Sequence, residues 1–427
     1  MVFEMLMESV FALVDIYFVS KVSTHAVATL GLTESVITLV YAVAVGISMA
    51  ATAVVARRIG EGNTEEARQA AAQVIYLGVG VSLLFGLAGI YFAKDILALM
   101  KASPEVIEEG YQYTQILLGE NLTIVLLFLI NVVFRAAGNA SYAMWVLLFS
   151  NGLNIILDPL FIFGIGPFPE LGVKGAAVAT TIGRGSSVLL QLYLLWQGKS
   201  RIQLAFKHLK IQLKIIAHLV RISWGGIGQF LIGTSSWVLL MRIMSEFGSD
   251  VLAGYTIAIR IMIFCLMPAW GLSNAAATLV GQNLGAKLPD RAAKAVWKTS
   301  TYNVFFMGVL SVVFLVWPRA IVQVFSTVPE VIDVGVLSLQ VFASGYIFYS
   351  FGMVMIQAFN GAGDTKTPTY INFFSFWLFQ LPLAYFTAIS LQRGPFGVLL
   401  AIVLSEILLT LLGVYFFRQG KWKQTAV

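Results

Sequence analysis

Twelve stretches of this chain stay apolar for about 20 residues or more, and that feature leaves few folds open. A helix needs about 20 predominantly apolar residues to cross a bilayer. Only helices and closed barrels satisfy their own backbone hydrogen bonds in hydrocarbon. Barrel strands would alternate polar and apolar residues, whereas here the apolar runs are unbroken. Hydrophobic residues make up 59% of the 427 and charged residues 11%. A soluble domain carries roughly 25% charge, so this much apolar surface calls for lipid as its solvent.

The stretches fall into two sets of six. The first set covers about 1–20, 27–56, 68–93, 107–134, 142–165 and 175–197; the second covers about 220–246, 252–281, 292–317, 332–359, 367–391 and 396–417. We number them as spans 1 to 12. Adding 225 to a residue number in the first half reaches its counterpart in the second. Gly46, Ser48 and Ala50 return as Gly271, Ser273 and Ala275; the PEVI of 104–107 returns at 329–332; Ala137 and Gly138 return as Ala362 and Gly363. No gap is needed, and chance likeness between apolar runs would not hold one register through the loops, so the chain is a duplication. An even number of spans per copy makes the copies parallel, related by an axis along the membrane normal. The expected fold is therefore an all-α integral membrane protein, twelve transmembrane helices in two parallel six-helix bundles related by pseudo-twofold symmetry. Residues 1–197 form the first lobe, 198–219 a cytoplasmic linker and 220–427 the second lobe. A basic amphipathic lead at 213–224 precedes span 7 and has no equivalent before span 1, so a longer natural N-terminus is expected.

The composition excludes several classes. One cysteine, Cys265, and three histidines allow neither a disulfide framework nor a cysteine–histidine metal cluster. No cleavable signal peptide is read at the N-terminus. The net charge of +6 reflects positive cytoplasmic loops rather than nucleic-acid binding. Loops after even-numbered spans, with the C-terminus, hold eighteen Lys and Arg; the other loops hold six. Both termini are therefore expected in the cytoplasm. Gly198, Lys199 and Ser200 resemble the end of a phosphate loop, but Tyr193 stands where that motif needs its first glycine. Without a nucleotide site, an ion gradient must supply the energy.

Ionisable groups within spans cost about 2.5–3.5 kcal/mol at mid-helix and mark cavities or partners. The candidates are Asp15, Glu34, Glu120, Asp158, Arg184, Arg242, Arg260 and Glu406, with Glu4 and Glu8 near the N-terminus. The duplication ranks them. Asp15 corresponds to Leu240, Asn154 to Phe379 and Asp158 to Leu383, while Thr180 keeps a hydroxyl at Ser405. Fold maintenance alone would not demand acids in one copy only. Asn154 and Asp158 stack one turn apart on span 5, as Ala176 and Thr180 do on span 6. Pro159 removes a backbone donor beside Asp158 and frees a carbonyl. Such an oxygen-rich pocket suits Na⁺ or a proton shared between two acids. The plainer alternative makes Asp158–Pro159 a structural kink and pairs Asp15 with Arg184. Glu406 stands between a second functional acid and an interhelical contact, and Glu120 and Glu34 read as structural. Met262, Met267, Trp270, Phe374 and Trp377 are packing or lipid-facing candidates, a minority of them candidates for an apolar substrate cavity.

Several segments then carry a resemblance: LVDIYFV at 13–19, GISMAATAVVARRIGEGN at 46–63 and its echo GLSNAAATLVGQNLGA at 271–286, NIILDPLFIFG at 154–164, GVKGAAVATTIG at 172–183 and NGAGDTKTP at 360–368. Together they resemble the multidrug and toxic compound extrusion (MATE) family over essentially the whole chain. The resemblance implies two six-helix lobes forming a V and exchange of substrate for H⁺ or Na⁺. In the DinF-like branch the cation-coupling residues fall on Asp15, Asn154, Asp158, Ala176 and Thr180; Glu4, Glu8 and Glu406 lie outside that pattern, and Glu406 and Arg184 are secondary candidates from the reading of the spans. The NorM-like branch places acids in the seventh and tenth spans, where this chain has Thr234, Ser235 and the region of Ser350.

The expected function is a secondary antiporter exporting amphipathic, often cationic, organic compounds in exchange for H⁺ or Na⁺, not an enzyme. A lipid-linked precursor flippase of the same superfamily is the alternative; it would prefer a more basic cavity and fourteen spans. No cofactor is expected and no metal beyond Na⁺ at Asp15, Asn154, Asp158 and Thr180. The expected partners are small organic molecules and the lipid bilayer, not nucleic acid, with the protein a monomer in the inner (plasma) membrane.

Overall fold

The computed structural model describes residues 14, 17–19, 21, 22, 24–198 and 200–427, with the backbone alone at 24–27 and 109. These residues are helical throughout their long elements and contain no strand. Nine helices among them are long and apolar enough to cross a membrane, and a bent pair, Gly110–Gly119 with Asn121–Ala136, makes a tenth. Val173–Gln197, the expected span 6, is also a full-length helix. Its Gly, Thr, Ser and Arg residues keep it from standing out by hydropathy. Span 1 lies largely outside the described residues.

The 225-residue offset reappears in the helix limits. Span 2 is Thr24–Gly60 and span 8 is Ser249–Gly285, each end displaced by that number. Span 3 starts at Thr64 and span 9 at Pro289. Phe92 interrupts span 3 with φ −115 and ψ 18; its counterpart Trp317, at φ −122 and ψ 36, ends span 9 before the short helix Pro318–Gln323. Identical breaks at equivalent positions mean that the duplicated sequence dictates them locally. Spans 4 and 10 depart from each other: Pro104–Gly119 and Asn121–Ala136 are two helices, whereas Pro329–Ala362 is one.

Contacts divide the chain between Ser223 and Trp224. In the first unit small residues let helices close: Ala50, Ala51, Ala53 and Ala56 of span 2 and Ala67 and Ala71 of span 3 have no exposed surface. Lipid tails are as apolar as side chains, so close van der Waals contact rather than hydrophobic burial holds such helices together. The second unit is built around Tyr255, Met262, Met307, Leu339, Phe342, Tyr346 and Leu399. Its C-terminus is tied in by Trp422, stacked on Phe417 at 4.7 Å and donating Nε1–H to the Phe417 carbonyl at 2.9 Å. Leu84, Tyr91 and Phe305 are 70–75% exposed. On helices long and apolar enough to cross a bilayer, such outward side chains suit lipid as the solvent.

The segment expected as a linker is bound to the first unit. Gln73 of span 3, fully buried, donates to the Lys210 carbonyl at 3.0 Å and accepts from the Gln212 N–H at 2.9 Å. Tyr76 donates its hydroxyl to the Leu209 carbonyl at 2.7 Å. The buried His208 accepts the Ala205 N–H at Nδ1, which leaves Nε2 to donate to Glu65 at 3.0 Å. Lys207 also reaches Glu65, at 2.9 Å.

Candidate functional site

Spans 5 and 6 of the first unit, Ala140–Phe163 and Val173–Gln197, bring the predicted polar residues together. Asp158 is fully buried, with Ala176 at 1%, Asn154 at 2% and Thr180 at 6% exposure. The surroundings orient the Asn154 amide. Its Nδ2 donates to Asp158 Oδ2 at 2.8 Å, and its Oδ1 accepts from the hydroxyl and the N–H of Thr180, each at 3.1 Å. Asn154 is thus a bridge, taking polarity from span 6 and delivering a donor to the acid on span 5. Span 5 runs as a helix through Pro159 and ends at Gly164. The proline leaves the Ile155 carbonyl without its usual donor, one turn from Asp158. Asp15, the other acid of the predicted set, lies outside the described residues, as do Glu4 and Glu8.

What brings the two helices this close is a row of small residues that the reading of charges passed over. Gly175, Ala179 and Gly183 recur every four residues on span 6. A Cβ on Gly183 would stand 3.1 Å from the Ser150 carbonyl and 3.2 Å from Asn154 Cβ, and one on Gly175 would collide with the Phe161 carbonyl. This small-xxx-small spacing is the sequence signal of close helix approach in membranes. It was legible in GVKGAAVATTIG all along.

The remaining candidates are placed as follows. Arg184 lies within electrostatic reach of Glu120, one turn beyond Thr180 on span 6. Glu406 is 7% exposed on span 12, Pro395–Gln419, beside Tyr349. Met262 is packed in the core of the second unit, Met267 and Trp270 are half-buried, and Phe374 and Trp377 are 48% and 38% exposed. Phe373 stacks on Trp377, whose Nε1–H reaches the Ile232 carbonyl at 3.3 Å. In the frame equivalent to Asn154 and Asp158 the second unit has Phe379, on a stretch, Phe373–Gln380, wound to i→i+5 hydrogen bonds, and Leu383, on the α-helical turn Leu381–Tyr385 that follows. No three of His, Cys, Asp and Glu meet to hold a metal among the described residues.

Comparison with known proteins supplies the context for this geometry. The sequence model of the MatE family matches residues 1–160 and again 227–386, once in each half. The chain is 25% identical over 426 residues to the probable multidrug resistance protein NorM of Thermotoga maritima, covering 99% of this chain and 91% of that protein. It is 25% identical over 401 residues to the FAD transporter of Shewanella oneidensis, covering 93% and 88%. A crystal structure of MATE in the straight conformation superposes with a TM-score of 0.93 at 22% identity, over 100% of this chain and 95% of that one.

Proposed function

Because the chain belongs to the MatE family of membrane transporters, we propose that it is an antiporter exporting amphipathic, often cationic, organic compounds in exchange for H⁺ or Na⁺. The family transports rather than catalyses, and this is a multi-pass membrane protein. The observation that carries the proposal is the buried Asp158–Asn154–Thr180 chain in the first unit, set against Leu383, Phe379 and Ser405 in the second. A buried carboxylate in a membrane is costly unless a cation or a proton neutralises it. Asp158, with Asp15, Asn154, Thr180 and the backbone at Ala176, forms the coupling site in this reading, and Glu406 and Arg184 are secondary. Asn154 holds one oxygen of Asp158 in place, so that the ion meets a fixed carboxylate. Binding of the ion removes charge from the interface of spans 5 and 6 and lets them repack, and the substrate is held less well.

Residues 1–197 and 220–427 act as the two lobes, joined at 198–219 on the cytoplasmic side, with both termini inside the cell and the protein monomeric in the inner membrane. Met267, Trp270, Phe374 and Trp377 supply apolar and aromatic surface for substrate, with Met262 behind them in the packing. The deciding experiment uses purified protein in vesicles loaded with a pH or Na⁺ indicator. Addition of cationic drugs should release the coupling ion, and Asp158→Asn should abolish that release; an Asp158→Asn protein exporting at the wild-type rate would end the proposal. The likeness to a FAD transporter puts flavin nucleotides on the same panel.

A further inference from the structure

Span 4 breaks at a carboxylate. Its segments meet at Glu120, whose φ of −96 and ψ of 13 belong to neither helix, and their axes are bent by 41°. Helix kinks have identifiable causes, most often proline, and there is none between Pro104 and Ala136. The cause here is the next side chain: Asn121 Nδ2 donates to the Leu118 carbonyl at 2.6 Å and to the Ser82 carbonyl at 3.1 Å. Thr123 donates its hydroxyl to Glu120 Oε2 at 2.6 Å. Glu120 Oε1 is buried and accepts no hydrogen bond from a described residue. The same holds for Asn121 Oδ1 and for Ser82 Oγ, whose side chains are at most 2% exposed. Native proteins rarely leave buried polar atoms unused, so a buried carboxylate oxygen without a donor calls for an explanation.

The duplication shows that the fold does not need this cluster. Glu120 corresponds to Gly345, Thr123 to Phe348, Ser82 to Met307 and Arg184 to Leu409, while Asn121 corresponds to Tyr346. Span 10 passes unbroken through Gly345. The second unit carries its own acid, Glu406, at the counterpart of Thr181, the span 6 residue that faces Glu120. Between its fourth and sixth helices each unit therefore holds one glutamate, contributed from opposite helices.

We propose that Glu120 is a proton-binding site in its own right, separate from Asp158, at which the proton and the guanidinium of Arg184 compete for one carboxylate. The groups acting on it are Thr123 of its own span and Arg184 and Thr181 of span 6; spans 2, 3 and 5, also packed on span 4, bring no titratable group to it among the described residues. A proton from water adds to Oε1 and leaves Arg184 charged. Thr180 of span 6 serves Asp158 through Asn154, and Thr181 and Arg184 of the same helix act on Glu120. Movement of one helix thus links the two acids. The inference rests on reading the chain as ion-coupled, but its test does not use transport.

The test is a pH titration of the carboxylic-acid carbonyl band by infrared difference spectroscopy, on purified Asp158→Asn protein in lipid nanodiscs. One band should persist in that protein and disappear with Glu120→Gln. Arg184→Gln should tighten proton binding at that band at least about tenfold, because it removes the competing charge. A merely structural glutamate would not respond in that way. Glu120→Asp, which keeps a carboxyl, serves if Glu120→Gln does not fold, and should shift the band rather than remove it. A band indifferent to Glu120 substitutions, or a proton affinity unmoved by Arg184→Gln, overturns the proposal and leaves the role of Asp158 untouched.

Discussion

At the scale of single residues, Asn154 illustrates how a polar side chain becomes indispensable without being charged. It accepts two hydrogen bonds from Thr180 and donates one to Asp158. Leaving a buried acceptor or donor unmet costs about 1–3 kcal/mol. Thr180→Val, nearly isosteric, should therefore lower the melting temperature of the purified protein modestly and slow export. Asp158→Asn should abolish export with an unchanged size-exclusion profile, because the amide keeps the shape and loses the charge. Glu406→Gln is the control in the other unit, where partial loss of export at most is expected; complete loss would place the coupling acid in the second unit. The i,i+4 spacing of Asn154 and Asp158 was visible in the sequence because helical periodicity fixes which residues share a face. Which residue Arg184 serves was not visible, since a face does not name the helix opposite. It comes within electrostatic reach of Glu120; the other candidate, Asp15, lies outside the described residues.

At the scale of elements, span 6 matters most. Its glycines let span 5 lie close enough for a 3.1 Å hydrogen bond between Asn154 and Thr180. Gly183→Leu should wedge these helices apart, at a cost of about 1–3 kcal/mol for overpacking. Thermal unfolding in detergent measures the loss, and ion binding should weaken with it; Gly152→Ala, at a position with open space around its Cβ, should do neither. The linker makes a second case. Composition read 198–219 as a basic connecting stretch, whereas Gln73, Tyr76 and Glu65 of span 3 bind its backbone and its His208 and Lys207. Gln73→Leu should expose the linker to trypsin at Lys207 and Lys210, with cleavage faster than in wild type by limited proteolysis. Equal cleavage rates would mean that these bonds do not hold it.

For the whole molecule, orientation and energetics set the terms. Single cysteines in intact cells should label near Glu105 and stay protected near Lys207, as the charge imbalance of eighteen to six requires. A monovalent ion falling through 100 mV releases about 2.3 kcal/mol, and one pH unit adds about 1.4 kcal/mol for a proton. Their sum supports a gradient of roughly several hundred-fold for a neutral drug. Coupling between binding sites is reciprocal. Equilibrium drug affinity should therefore weaken as pH falls or as Na⁺ rises, and Asp158→Asn should flatten that dependence. Drug affinity insensitive to both ions would remove the coupling scheme.

The amino-acid sequence by itself determined the solvent, the helix class, the duplication and its register, because these depend on composition, run length and period, all of which are written along one dimension. It also picked out Asn154 and Asp158, since comparing two copies of one ancestral unit reveals where one has been made polar, and Thr180 by the resemblance and its helical spacing from Ala176. The tertiary structure alone decided the break at Glu120, the pinning of the linker and the burial of Met262 in packing. Each depends on a partner far away in the chain: Ser82 for Asn121, Gln73 for Lys210 and Tyr346 for the core around Met262. Hydrogen bonds across helices are fixed by the angle and distance at which the helices pack, and a local pattern such as the small-residue spacing of span 6 signals a close approach without naming the partner.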